Sequence, residues 1–358
     1  MNAEQRRLEE DRSGAKNWRK WGPYLSDRQW GTVREDYSCE GNAWGSFTHD
    51  HARSRAYRWG EDGLAGVSDD QSRLCLALAL WNEHDPILKE RLFGLTNGEG
   101  NHGEDVKELY YFLDATPTHS YLKFLYKYPQ KMFPYARLVE ENRWRGNHDR
   151  EFELLDTGVF DDDRYFDVFV EYAKASPRDI LMLVTAHNRG PDPAPLHVLP
   201  TMWYRNSWSW TTDTPRSRLL GAGDEDGAID ALDPYLGTYR LRADSGASEL
   251  FTENETNVVR LYGIDAPGPF KDAFHEFVVK GNRAALSPTP DGSKAAFHYK
   301  LTIPPGGSAR VRVRLSLRAL EDALGDFDLV MERRRREADE FYRDVQTGID
   351  DPDIRLVQ

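Results

Sequence analysis

The chain has 358 residues, of which 39% are apolar and 12% aromatic, including 10 Trp, 17 Tyr and 16 Phe. That is enough side-chain area for a sizeable core, which excludes intrinsic disorder as a description of the whole, and the length suits one large domain or two ordinary ones. Sixty acidic against 47 basic side chains give a net charge of −13, a sign that repels a phosphate backbone and argues against general nucleic-acid binding.

Met1 to Asn17 is charged and polar with no apolar stretch behind it, unlike a secretory signal, so a cytoplasmic protein is the expectation. Residues 1–20 are expected to form a charged N-terminal arm, either a surface helix or a frayed end. From Trp21 to Gly66 the chain crowds Trp21, Tyr24, Trp30, Tyr37, Trp44, Phe47, Tyr57 and Trp59 among Gly, Asp, Glu, Arg and His, with neither a strand nor a helix period. Residues 21–66 therefore read as a long ordered loop, and loops of that length in compact proteins tend to be functional. Cys39 and Cys75 are expected to be free thiols.

Strand-like runs follow at Ser72 to Trp81, Glu90 to Thr96, Val106 to Ala115, Thr118 to Tyr128, Tyr165 to Ala173, Asp179 to Asn188 and Ala194 to Trp203. They are rich in Val, Leu, Tyr and Phe and are bounded largely by Gly, Pro, Asn and Asp, which predicts antiparallel β-structure. The longest apolar run, Leu74 to Trp81, is far below the roughly 20 residues of a membrane-spanning helix, so no membrane partner is expected. Thr211 to Gly237 is polar, acidic and Gly-rich and reads as an exposed loop. Further strands are expected at Thr238 to Ala243, Asn257 to Tyr262, His275 to Lys280, Ala295 to Ile303 and Ser308 to Leu317, the last two joined by Pro304-Pro305-Gly306-Gly307. So many short strands with turn punctuation predict a large β-sandwich spanning residues 21–320.

From Asp326 to Val345, apolar residues fall at helical spacing with Arg333 to Arg336 mostly opposite them. Asp351-Pro352 then has the form of a helix cap and first turn, so residues 321–358 read as a linker helix and the start of a further helical element.

Two segments carry candidate chemistry. Trp30, Arg34, Glu35, Asp36 and Tyr37, followed by Trp59, Glu61 and Asp62, combine rings that stack on sugar faces with carboxylates and a guanidinium that hydrogen-bond hydroxyls. The other reading is that these rings pack the loop onto the sandwich while the Arg side chains pair with nearby acids. The turn Asn97 to Asp105 brings Glu99, His102, Glu104 and Asp105 together, either as a solvated loop or as a source of the paired carboxylates of glycoside cleavage. His49-Asp50-His51 offers two metal ligands with no evident third, and no metal is expected. Trp203, Trp208 and Trp210 read as core, interface or sugar cleft. Phosphate-loop, dinucleotide and nucleophile-elbow motifs are absent from the sequence.

Trp21-Gly22-Pro23-Tyr24, Gln29 to Ser38, His49 to Gly63 and Asn101 to Glu108 together resemble glycoside hydrolase family 63, specifically bacterial glucosidases related to the processing mannosyl-oligosaccharide glucosidase. The resemblance extends over essentially the whole chain and implies the N-terminal region of a two-part enzyme: a mainly β, antiparallel super-β-sandwich, a linker helix, then an (α/α)6 toroid holding the catalytic acid and base. It further implies hydrolysis of α-glucosidic bonds with inversion in an oligosaccharide, without a cofactor. The family's catalytic carboxylates have no matching positions in this sequence, so no catalytic residue is assigned. The implied partners are an α-glucoside or oligosaccharide and an (α/α)6 catalytic domain in cis or as a separate chain. The alternative is a freestanding carbohydrate-binding sandwich without catalysis, and a third reading is a self-sufficient enzyme using Glu99, Glu104 or Asp105.

Overall fold

The computed structural model describes residues 1–25, 38–39, 43–46, 48–56, 62–96, 98–102, 105–210, 215–223 and 227–357. Two antiparallel sheets pack face to face. The smaller runs in the order Trp21–Gly22, Leu64–Asp69, Leu74–Trp81, Ala194–Tyr204, Lys294–Ile303, Ser248–Thr252. The larger runs Asp291–Gly292, Arg218–Gly221, Ala228–Asp233, Gly237–Ala243, Ser308–Ser316, Asp179–Asn188, Tyr165–Ser176, Tyr121–Pro129, Leu109–Ala115. Leu76, Leu78, Met202 and Phe297 from one sheet meet Val168, Val184, Leu241 and Val313 from the other in a single core. The expected large antiparallel sandwich is what forms.

The two-residue period decides which face each side chain serves. Along Leu74–Trp81 the leucines enter the core between the sheets, while Cys75, Ala77 and Ala79 turn outward and are buried as well. The outer face of the smaller sheet is therefore covered: Leu88, Phe274 and Val278 close over Ala79, Leu199, Leu250 and Ala296. Phe274 and Val278 belong to a helix, Ala273–Val278, in the stretch whose composition predicts a strand. Asn257 to Tyr262 is likewise helical over Val258–Tyr262, because the Asn257 side chain accepts the Arg260 amide at 2.9 Å and Gly263 ends the helix at φ 67°. The segment 211–237 holds two short strands, Arg218–Gly221 and Ala228–Asp233, whose Leu219, Ile229 and Ala231 are buried. Their few apolar residues are diluted by neighbouring Gly and Asp, which hides them from a composition reading.

The outer face of the larger sheet is covered by helix Phe327–Val345, where Phe327, Val330 and Met331 pack on Ala173, Leu181 and Leu183. Arg334, one of the basic run, turns inward and donates to the Lys174 carbonyl at 2.7 Å. Asp351 caps a last helix, Pro352–Val357, by accepting the Asp353 amide at 2.8 Å. At the other end, helix Ala3–Arg12 is docked rather than frayed. Glu4 is fully buried and accepts from the Thr118 amide (2.7 Å), the Thr118 hydroxyl (2.6 Å) and Ser120 (2.7 Å), while Arg7 pairs with Glu337 of the long helix.

Beneath this helix Lys174 donates to the carbonyls of Trp18 and Trp21, both at 2.5 Å, and of Thr118 at 3.2 Å. Burial pulls its ammonium down to about 7, against the pull of Glu4 and Asp11 in the other direction. An unfolded chain keeps a proton on this lysine, up to its ordinary value, that the folded chain has released. The folded state is therefore increasingly favoured as pH rises from about 7. The urea midpoint should rise between pH 7 and pH 9.5 more steeply in the parent than in Lys174→Met, and equal slopes would show that the lysine titrates normally when folded.

Candidate functional site

Residues 52–55 and 62–63 of the aromatic segment meet Lys271 and strand Leu74–Trp81 on the smaller sheet's outer face. Gly63 sits at φ 87°, and a Cβ there would lie 2.1 Å from that of Ala77, so the backbone lies flush on strand Leu74–Trp81. This contact lowers the preceding residue, Asp62, into the protein. Its Oδ1 accepts from Arg91 Nε at 3.0 Å and Nη2 at 2.8 Å, and Lys271 Nζ approaches the other oxygen at 2.6 Å. Lys271 also donates to the carbonyls of Arg55 (2.6 Å) and Ala52 (3.2 Å), tying the chain before residue 57 to the chain after residue 61. Lys294, the first residue of its strand, pairs with Glu90 at 2.5 Å and donates to the Lys271 carbonyl at 3.3 Å.

All five of these charged residues are buried. Two carboxylates thus face three cations away from water, where each unpaired charge would cost several kcal/mol. Burial pushes the Asp62 carboxyl up, but Lys271, Arg91 and Lys294 outweigh it and hold Asp62 far below the usual carboxylate range. Burial draws Lys271 down to about 8 despite the attraction of Asp62.

A second buried network adjoins the first through Lys89, the residue before Glu90. Its ammonium reaches Glu108 at 2.6 Å and the Tyr135 hydroxyl at 2.8 Å, and lies 3.9 Å from the Phe133 ring centroid. Glu108 also accepts from Tyr126 (2.7 Å) and the Phe93 amide (3.1 Å). Tyr128 and Tyr135 both donate to Asp85, whose carboxyl burial raises to about 6. The His49 ring packs on Phe93 and Tyr135, and burial together with Lys89, Arg91 and Arg53 keeps it neutral. Around it, Ser54 donates to Asp272 at 2.5 Å, the Ala56 amide to Thr256 at 3.0 Å, and Arg260 pairs with Asp50.

Of the residues the sequence puts forward, Trp30, Arg34, Glu35, Asp36, Tyr37, Trp59, Glu61 and Glu104 lie outside the described residues. Asp62 is the buried anchor just described. His102 is exposed and lies 2.9 Å from the Asp149 carbonyl. Asp105 belongs to a group with Glu151 and Glu153 whose ligand atoms lie within 4.8 Å of one another. That grouping suits a cation, and Lys107 supplies one, 2.9 Å from Glu151, 3.0 Å from Glu153 and paired with Asp105. Burial raises Glu99 and Asp105 above the ordinary range. His49 and His51 do not converge: they lie on a single helical turn, His49–Ala52, with His49 buried and His51 exposed. Trp203 is core, Trp208 donates to Glu255 at 2.6 Å, and Trp210 is largely exposed. Cys75 is buried beside Trp203 and Cys39 is exposed, both as free thiols.

The structure adds Asp85, Lys89, Glu90, Arg91, Glu108, Lys271 and Lys294, none of them a candidate site residue of the sequence analysis, although Glu108 closes the Asn101 to Glu108 motif. Lys89, Glu90, Arg91 and Lys294 share one signal, charge set inside an apolar run, as in Leu88-Lys89-Glu90-Arg91-Leu92-Phe93 and Ser293-Lys294-Ala295-Ala296-Phe297, whereas Asp85 follows the polar Asn82-Glu83-His84. In the first of these, strand structure is confined to Gly94–Leu95, because the preceding residues turn their charges into the two networks.

No protein-family model matches the chain. It is 42% identical over 386 residues to the uncharacterized protein YMR196W of Saccharomyces cerevisiae, a match that covers 95% of this chain and 35% of the yeast protein. The chain thus spans about a third of the length of that relative. Among solved structures it overlaps a putative aldose 1-epimerase from Escherichia coli K12 at TM-score 0.26 and 8% identity, covering 62% of this chain and 74% of that one. A putative kojibiose phosphorylase from human microbiome overlaps at TM-score 0.27 and 7% identity (77% and 30%). The GH92 family glycosyl hydrolase ccman5 overlaps at TM-score 0.28 and 13% identity (75% and 30%). Among the described residues no helix is long and apolar enough to cross a membrane.

The ion lattice gives a direct test. Asp62→Asn should leave Lys271 and Arg91 without their shared anion and cost roughly 3 kcal/mol or more in urea denaturation. Asp62→Leu combined with Lys271→Met should lose less than Asp62→Asn alone, since it removes charges of both signs. A single change of under about 0.5 kcal/mol, the range of ordinary surface substitutions, would show that water reaches the site.

Proposed function

We propose that this chain is the β-sandwich part of a carbohydrate-active enzyme, an inverting α-glucosidase acting on oligosaccharides, and that it supplies loops to the sugar cleft. The observation that carries the proposal is the mounting of its motif segments. Lys271 binds the carbonyls of Ala52 and Arg55 on one side of residues 57–61 and the Asp62 carboxylate on the other. A ring and a carboxylate aimed at a sugar must be held to within a fraction of an ångström, and buried ion pairs on a sheet are a rigid mount. The family resemblance of the same segments supports the substrate class, and the greater length of the yeast relative supports a larger parent polypeptide.

In this reading Trp30, Arg34, Glu35, Asp36, Tyr37, Trp59 and Glu61 contact or frame the sugar, Asp62 fixes the loop, and His102, Glu104 and Asp105 border the cleft. Inverting hydrolysis needs one carboxylic acid to protonate the leaving oxygen and one carboxylate to activate water, about 6.5 to 9.5 Å apart. Both are proposed to reside in an (α/α)6 domain of the parent polypeptide, which acts in the cytoplasm.

The test is hydrolysis of α-linked glucose disaccharides by the purified chain, by the full-length parent, and by the chain mixed with a separately produced helical domain. Turnover is expected from the parent and the mixture only. In the parent, Trp59→Ala and Glu61→Gln should each raise KM about tenfold, as the loss of a stacking or hydrogen-bonding contact does, with the melting temperature unchanged. Turnover by the chain alone would return the chemistry to Glu99, Glu104 and Asp105. Sugar binding without turnover in any combination would favour a freestanding binding module.

A further inference from the structure

Away from the ion lattice, a surface cleft of 480 Å³ opens between the Ser176-Pro177-Arg178-Asp179 turn, the segment 316–320 and residues 16–17. The turn joins strands Tyr165–Ser176 and Asp179–Asn188, and its Arg178 carbonyl accepts the Leu317 amide at 3.0 Å, which fixes one wall to the other.

The charges around this cleft do not balance. Its single carboxylate, Asp179, is spent: Arg314 Nε and Nη2 hold its two oxygens at 2.7 Å each. Arg314 itself is completed by Asp326 at 2.5 Å and the Ala323 carbonyl at 2.9 Å. Lys16 shares its charge with Glu10 at 3.0 Å. Arg178 and Arg318 are exposed at the cleft, and among the described residues no carboxylate pairs with either guanidinium. In a chain of net charge −13, two uncompensated guanidinium groups on one cleft mark a local reversal of sign. Leu317 and Leu320, half-buried, add an apolar wall beside them.

We propose that this cleft binds the phosphoryl group of a small organic phosphate, with Arg178 and Arg318 on the phosphoryl oxygens and the organic part against Leu317 and Leu320. Planar guanidinium groups match phosphoryl oxygens in pairs, and a dianionic monoester matches two of them in charge. A bare inorganic phosphate satisfies only the charged half of the cleft, whereas an ester carrying a ring satisfies both. The site is independent of the sugar reading, since it shares none of the residues invoked there. It lies where strand Ser308–Ser316 gives way to the segment leading into helix Phe327–Val345, so occupancy would brace that junction.

The test is calorimetric titration of the chain with phenyl phosphate and with inorganic phosphate, at low and at high chloride. Phenyl phosphate is expected to bind more tightly than inorganic phosphate, and both to weaken with salt. Arg178→Glu with Arg318→Glu should weaken phenyl phosphate about tenfold or more, as reversal of two charge-assisted contacts requires. Arg333→Glu with Arg336→Glu, an exposed basic pair on the long helix, should leave the affinity unchanged. Thermal melts of both variants establish that they fold. Absence of binding by the parent, or equal loss in the two variants, would overturn the proposal.

Discussion

The geometry of the smaller sheet's outer face depends on the need to pair charges that have been taken out of water. Asp62, Glu90, Arg91, Lys271 and Lys294 come from four separate stretches of chain, and none can be buried before its partners arrive. An apolar cover tolerates sliding, because dispersion and area burial are indifferent to small displacements, whereas a carboxylate held at 2.6 to 3.0 Å by three donors is not. The lattice therefore contributes register more than stability. It fixes where the 52–56 segment, residue 62, the 89–91 stretch and Lys271 stand relative to strand Lys294–Ile303.

The opposite outer face is built on another principle. Helix Phe327–Val345 presents an apolar stripe to Ala173, Leu181 and Leu183, and charged contacts border it at Asp328, Arg334, Arg335 and Glu337. Helix Ala3–Arg12 combines both modes, with a buried Glu4 whose oxygens are satisfied by one loop, Thr118 to Ser120, and by Arg7. The two covers differ as their sequences do: a helical stripe on one side, short charged stretches flanked by apolar residues on the other.

That difference explains what could be read in advance. The sandwich was legible because strands such as Asp179–Asn188 are apolar runs bounded by turn residues and others, such as Ser308–Ser316, alternate. The long helix was legible for the same reason, apart from Arg334, whose inward turn depends on the Lys174 carbonyl, a partner 160 residues away. The helices Val258–Tyr262 and Ala273–Val278 were misread because each is only a turn or two long: the first buries none of its residues and the second buries His275 along with Ala273, Phe274 and Val278, so no clean period survives. At the site, the motif segments include Asp62, which the structure buries among cations. They could not single out Lys271 or Lys294, because one lysine beside apolar residues looks the same whether it reaches solvent or a buried carboxylate. Only the pairing of distant segments distinguishes the two cases.

The lattice also constrains how the site can respond to pH. Asp62 is held ionised by three cations, and its titration lies below the range in which a folded chain would work. The nearby carboxyl that titrates close to neutrality is Asp85, raised to about 6, and it faces Tyr128 and Tyr135 rather than Arg91 or Lys271. His49, neutral in its aromatic pocket, adds no charge that could switch. On the acid side of neutrality the mount of residues 57–61 thus keeps its charges, since Lys271, drawn down to about 8, gives up its proton only above that range, while the network beside it changes. Below neutrality a pH dependence arising here would enter through Asp85 and the Lys89 network. As pH rises through about 6, Asp85 ionises and the Tyr128 and Tyr135 hydroxyls then donate to a charged acceptor. The part that holds residues 52–55 and 62 and the part that changes charge near pH 6 are thus adjacent, separated by the bond between Lys89 and Glu90.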